Sequence, residues 1–550
     1  MKQVWIVLSL LLVLLLQGSW HSADAMPAQQ NADEGVCAAL PQPTGRVISV
    51  SDVSGLVGAV NSAVDGDTIS IADGVYNLSG QYLWIDTPNV TLRSASGNRD
   101  AVILDSNYNT GFGETITIEA SNVTIADLTI REAYTHPIHV ISTTSAPTDN
   151  TLIYNVHIID PGEQAIKINP VAGGHYTDNG MVACSHIELT DSGRTHIRNN
   201  CYTGGVDAHQ SRDWVIRDNR IEGFWCDAGL SEHAVHFWRA SRDTIVERNL
   251  LFNNARGVGF GLDTTGNART YTDDPCPTAV GYVDHYGGIV RNNFILASSG
   301  ALFASDSGFD CGICLWNACN ARAGHNTLYT ANPSETFSMI EWRFLNTRAT
   351  IANNLVTNLP DNHELFARDG AGGTYYGNMT TAQASWFVNA SAGDLHLLPA
   401  AASAIDLVRA PSFVSDDYDA QPRPEGTLSD VGADEDMDPA LVPVTNLRVT
   451  QAVQVGDTLT ITLTWTPPQD AVSIEIRMAQ QLINDGNWGA ATVLTDSLPG
   501  DSATYTTDVP YTDGTIYFAL KTSNAEEEWS LLSNNAFWPS VDVFLPLVLS

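Results

Sequence analysis

Six stretches of the chain share one pattern of apolar and polar positions: VTIADLTI at 123, TLIYNVHI at 151, WVIRDNRI at 214, TIVERNLL at 244, GIVRNNFI at 288 and ATIANNLV at 349. Each is short and β-branched, most carry a polar pair in the middle, and no helical period is sustained. Alternation of this kind predicts strands. The copies start 28, 63, 30, 44 and 61 residues apart, a unit of about 30 with longer gaps where loops intrude, the mark of a stacked repeat. The pattern predicts an all-β chain whose main body is a right-handed single-stranded parallel β-helix, one coil per repeat. Asn219, Asn249, Asn293 and Asn354 fall at the same place in their copies. Inward amides stacked in this way can hydrogen-bond along the solenoid and so be satisfied.

After each copy comes a turn and a second short strand: HPIHVIS (136–142), QAIKINP (164–170), GGVDAHQ (204–210), HAVHFWR (233–239) and RGVGFGL (256–262). Side chains alternate across a strand, so Ile138, Ile166, Val206, Val235 and Val258 face the core with the apolar residues two places on. The opposite face then carries His139, Lys167 with Asn169, Asp207 with His209, His236 with Trp238, and Gly259 with Gly261. Neighbouring coils lie about 4.8 Å apart, so these residues form an outward ladder of titratable groups, its two glycines leaving room above a cleft.

Two other stretches carry a resemblance. DGDTISIADGVYNL (65–78) resembles the opening coil of pectate-lyase-like β-helix proteins, and DLHLLPAAASAIDL with DDYDAQPRPEGTLSDVGADE resembles their closing segment. The resemblance covers roughly residues 46 to 436 and implies the parallel β-helix already expected. It does not choose a chemistry, because that superfamily includes lyases, hydrolases, epimerases and binding proteins. Residues 443–536, with LTITLTWTPP, IYFALKTSN and EWSLLSNNAF, resemble a fibronectin type III module, a β-sandwich with Trp465 and Tyr517 at its core places.

The ladder is where chemistry is expected. Of 26 basic residues only Lys2, Lys167 and Lys521 are lysines, and a lysine, unlike an arginine, can lose its proton when buried. Positive neighbours such as His139 should lower the pKa of Lys167. The leading expectation is a polysaccharide lyase that cleaves a uronic-acid-containing glycan by β-elimination. Lys167 would be the base, His209 or His236 the proton donor, and Arg239 or Arg256 the grip on the substrate carboxylate. Trp238 would face a sugar ring, His139 and Asn169 would line the substrate, and Asp207 would orient a histidine. Ca²⁺ is the one cofactor kept open, at Asp207 or structurally at the acidic stretches DDYD (416–419) and DEDMD (434–438). A Zn²⁺ site at His139, His209, His236 and Asp207 meets the Lys167 charge between them, so no metal ligand is assigned. A glycoside hydrolase needs two carboxylates about 5 to 9.5 Å apart, and only Asp207 is outward here. The third alternative is a non-catalytic glycan-binding or adhesin-type solenoid.

Composition narrows the partners. The formal charge of −36 argues against nucleic acid and anionic membrane, so the expected partner is a polysaccharide or cell-surface glycan met by a local cluster of cations. Residues 1–25 read as a secretory signal peptide ending in an A-x-A site, 26–45 as an N-terminal segment and 537–550 as a short apolar tail, with no transmembrane segment expected. In such a secreted, extracellular chain the eight cysteines are expected as disulfides of undetermined pairing.

Overall fold

A computed structural model describes residues 37–538, apart from 79, 267–268, 426, 437–442, 469–470, 485–486, 511–513 and 524–528. The expected signal peptide, the start of the N-terminal segment and nearly all of the apolar tail lie outside the described residues. Among those described, no helix is long and apolar enough to cross a membrane.

Three parallel sheets of 14, 10 and 11 strands form the main body. Each coil visits them in the same order, as in Leu152–Tyr154, His157–Ile159 and Gln164–Asn169. This is the expected parallel β-helix, but each repeating stretch is two strands and not one. The first member of its polar pair takes a left-handed conformation and bends the chain from one sheet to the next: Asp127, Asn155, Asp218, Arg248, Asn292 and Asn353 all have φ between 50° and 58°. Asn and Asp tolerate that region better than most residues. The second member turns inward. Asn219 donates to Asn249, Asn249 to Asn293, Asn293 to Asn326, Asn326 to Asn354 and Asn354 to Asn378, each at 2.9 Å. Asn326 and Asn378 extend the predicted stack beyond its four members.

One core runs through the solenoid, filled by Ile125, Ile153, Ile166, Val206, Val235, Val258 and their equivalents. The helix Val53–Asn61, capped by Asp52, packs Leu56, Ala59 and Val60 into it. A second core forms where residues 386–433 fold back, with Trp386, Phe387, Leu395 and Val431 against the outer face of Phe294, Leu296 and Leu355.

Four disulfides form: Cys37–Cys184, Cys201–Cys226, Cys276–Cys319 and Cys311–Cys314. The C-terminal unit has antiparallel sheets of three and four strands, with Trp465 in the core. Tyr517 is a correction: Phe518 is the buried residue of that strand, and Tyr517 faces Phe537 on the other side.

Candidate active site

The strands Ile138–Ile141, Gln164–Asn169, Gly204–His209, Val235–Trp238 and Arg256–Phe260 are neighbours in the 10-stranded sheet. Their register places His139 beside Lys167, Lys167 beside Asp207, Asp207 beside His236, His236 beside Gly259, and His209 beside Trp238. The ladder expected from alternation is thus present. Its two flanks are the connections 189–203, with the short helix Asp191–Arg194, and the described residues of 261–284.

The cluster is more enclosed than an outward stripe suggests. Lys167 is 7% exposed, Asp207 1% and His236 0%, because loop side chains and the second outward residue of each strand cover them. Lys167 Nζ pairs with Asp207 Oδ2 and lies 3.1 Å from His209 Nε2 and 3.3 Å from Tyr202 Oη. The other Asp207 oxygen accepts from Trp238 Nε1 at 2.8 Å. His209 Nε2 is 3.4 Å from Asp207 Oδ2, and its Nδ1 has no protein partner among the described residues. Tyr202, in the 189–203 loop, carried no register signal and was not expected.

Electrostatics follow from this packing. Burial alone pushes the Lys167 ammonium down, but the Asp207 carboxylate outweighs it and Lys167 ends above its ordinary value. The expected depression of Lys167 is therefore reversed: the stacked neighbour that matters is an anion, not His139. Burial pushes Asp207 up, yet Lys167 and then His209 hold it well below the usual carboxylate range. Burial lowers His209, against the pull of Asp207, so its imidazole is neutral at pH 7. Burial raises Tyr202, which stays a phenol.

Several assignments change. His236 is fully buried, with Nε2 facing the Gly261 carbonyl at 3.2 Å, so it cannot donate a proton to a glycan. Arg256 is tied to Asp310 at 2.7 Å and lies over the Trp316 ring, so it is no free grip. The Trp238 ring is parallel to His236 at 5.2 Å and carries the Arg239 guanidinium at 4.4 Å; it supports its neighbours and does not present a bare sugar platform. Gly259 opens no cleft, because a Cβ there would meet the His233 ring at 2.6 Å. Gly261 packs as tightly on the Trp316 carbonyl.

Arg239 has no carboxylate partner within 4 Å among the described residues, and neither has Arg198, which lies over Tyr134 at 3.6 Å in the loop that carries Tyr202. One coil away, His139 faces Glu114 at 2.5 Å and Asn169 at 2.9 Å, and both it and Asn169 are half-buried.

Among the described residues, three His/carboxylate groups lie close enough to hold an ion: His157, His186 and Glu188; Glu232, His233 and His236; and His396, Asp419 and Asp434. Asp207 does not fit Ca²⁺, which takes six to eight oxygen ligands: its oxygens already hold an ammonium and an indole N–H. The acidic loops are also committed, Asp416 to Arg248, Asp419 to His396 and Glu435 to Arg423.

No protein-family model matches the chain, and no curated protein matches it. Among solved structures it is similar to the pectate lyase Pel9A, at 13% identity over 72% of this chain and 97% of that one, with a TM-score of 0.46. It is similar to an alginate lyase from Paenibacillus sp. str. FPU-7, at 16% identity over 61% and 99%, with a TM-score of 0.37. Over 18% of its length the chain is similar to an Fn3-like protein from Clostridium thermocellum, at 21% identity and 91% of that chain, with a TM-score of 0.15. At these identities each is a likeness of fold and says nothing of chemistry.

Proposed function

We propose that the protein is a polysaccharide lyase that cleaves a uronic-acid-containing glycan by β-elimination, working outside the cytoplasm. One observation carries this: a neutral imidazole and a neutral phenol meet on the same buried ammonium. Elimination needs a base for the proton alpha to the carboxylate, a cation for the charge that develops there, and an acid for the leaving oxygen. In the tautomer with its proton on Nε2, beside Asp207 Oδ2 at 3.4 Å, His209 has Nδ1 open as the base, and Lys167 gives its own protons to Asp207 and Tyr202. Tyr202 accepts from Lys167 and so has its own proton to give to the glycosidic oxygen. Lys167 stays protonated as the cation behind them, a different role from the base expected of it. Arg239 and Arg198 are the cations available to a substrate carboxylate, and they offset at short range the repulsion of a polyanion by a chain of charge −36. No step uses Ca²⁺.

The test is the ultraviolet absorbance of the unsaturated product on pectate, alginate and glycosaminoglycans, with reducing ends counted in parallel. The expected result is a rise on one of these glycans, reduced by about 10²–10⁴-fold in His209→Ala and in Tyr202→Phe. No rise and no new reducing ends on any glycan, or a rise indifferent to both variants, overturns the reading.

A second reading has one specific support: Asp207 and Glu232 both flank His236 Nδ1, at 3.7 and 3.1 Å, a two-carboxylate arrangement that a hydrolase could use. It predicts reducing ends without absorbance, and the burial of Asp207 argues against it.

The pH profile follows from the same groups. The base must be neutral, so kcat/KM rises with pH through a pKa below the ordinary histidine value of 6.5. The acid must keep its proton, so activity falls only above the ordinary tyrosine value of 10.0. A profile with its acid limb above pH 7 would remove His209 as the base.

A further inference from the structure

Glu232, His233 and His236 lie side by side where the chain enters the Val235–Trp238 strand. His233 and His236 are both 0% exposed. Buried polar groups are nearly always hydrogen-bonded, yet His233 has no hydrogen-bond partner on either ring nitrogen, and neither His236 Nδ1 nor Glu232 Oε2 has one. These atoms face one another. Glu232 Oε2 is 3.1 Å from His236 Nδ1 and 3.9 Å from His233 Nδ1, without the alignment of a hydrogen bond. His236 Nε2 meets the Gly261 carbonyl; donating its proton there leaves the unprotonated Nδ1 3.1 Å from a carboxylate oxygen. Two electron-rich atoms in that position repel unless something positive lies between them. A proton would answer for His236 alone and would leave His233 unpartnered on both sides.

We propose that Glu232, His233 and His236 bind a divalent transition-metal ion such as Zn²⁺, through one carboxylate oxygen and one imidazole nitrogen of each histidine. Three donor atoms within 4.8 Å of one another need only small movements to reach the spacing of about 3.3 Å set by Zn–N and Zn–O bonds near 2.0–2.1 Å. Two imidazoles and a carboxylate suit Zn²⁺ and its neighbours, not Ca²⁺. The His236–Gly261 contact is the kind of outer partner that fixes a ligating histidine. Gly259 is what admits the His233 ring, since any Cβ would displace it. Glu232 is half-buried, so the ion enters from its side and a water completes the coordination. Lys167 does not oppose the ion directly, because it pairs with Asp207 Oδ2 whereas Asp207 Oδ1 is the oxygen that faces His236. The other two groups differ in kind: His157 and His186 pair with Glu188 and Glu222 at 2.8 and 2.6 Å, and His396 pairs with Asp394 and Asp419 at 2.6 and 2.9 Å.

The site takes none of its ligands from the groups assigned to the elimination, so it is tested without glycan. The chelator-stripped full chain is titrated with Zn²⁺ by calorimetry and with Co²⁺ by visible absorption. The expected result is one ion per chain, weakened by at least about 100-fold in His233→Ala and Glu232→Gln, beyond the 10–100-fold that changes in outer partners cost. His396→Ala should leave binding intact. If circular dichroism shows His233→Ala unfolded, the half-buried Glu232→Gln decides alone. No binding by the unaltered chain, or an affinity unchanged in Glu232→Gln, overturns the proposal.

Discussion

Asp207→Ala lowers the stability of the β-helix by about 3–5 kcal/mol, the cost of stranding one member of a buried ion pair. Two donors lose the carboxylate at once: the Lys167 ammonium, left with the neutral Tyr202 and His209, and the Trp238 indole N–H. Lys167 is only 7% exposed, so its desolvation goes largely uncompensated. The pair is not needed for stability as such. Replacing both charges by apolar groups of similar volume is often neutral, so Lys167→Met with Asp207→Leu should recover most of the loss while remaining inactive on every glycan. Denaturant unfolding of the two single variants and the double variant gives the coupling. A single variant within about 1 kcal/mol of the unaltered chain, below the usual cost of a broken buried pair, would show that the pair is not buried in solution.

The pH dependence of that gap is fixed by sign. Asp207 is held below its ordinary value of 3.8, so its contribution is fully present above that pH and is lost as pH falls through the folded value. Lys167 is raised above 10.5, so its contribution is present below 10.5 and is lost as pH climbs through the folded value. In Asp207→Ala the lone lysine is left with burial, which favours its neutral form. The folded state then binds fewer protons than the unfolded one, and the variant gains stability with rising pH. The gap should therefore be widest at mildly acidic pH, and close both in acid and in alkali.

That pair also shows what the sequence could and could not reveal. The register of the ladder was legible because each strand has two apolar anchors two places apart, and a slip of one residue would bury the charges. The same register put Asp207 next to Lys167, but the sign of the lysine's shift depends on which neighbour lies closer, and strand pairing alone does not say. Tyr202, Arg198 and His233 were missed for another reason. They come from loops between sheets, where no periodicity fixes direction, and the outward Gly259 was read as open space when a loop histidine fills it. The two-strand nature of each repeat was hidden because its bend is made by a single non-glycine residue in the left-handed region. A polar pair followed by a renewed apolar run was its only trace.

Asn293→Ala is the second large effect expected, and it arises far from the ladder. The Asn293 side chain accepts from the backbone and the amide of Asn249 at 3.0 and 2.9 Å and donates to the Val246 and Arg291 carbonyls and to Asn326, each at 2.9 Å. Alanine removes all of these and leaves buried groups that water cannot reach. At about 1–3 kcal/mol for each orphaned group, the loss is at least about 3 kcal/mol. Asn293→Ser should cost less, since a hydroxyl keeps one acceptor; Ser185 fills the same place near the start of the stack, accepting from Val156 N at 3.2 Å. Asn378→Ala, at the stack's half-buried end, should cost less, because water can replace its bonds to Asn354, Ile351 and Tyr376. In a solenoid each coil contacts only its neighbours, so hydrogen exchange in Asn293→Ala should quicken first between residues 244 and 330 and leave the N-terminal coils protected. Equal costs at Asn293 and Asn378 would mean that the stack is filled space, not a chain of hydrogen bonds.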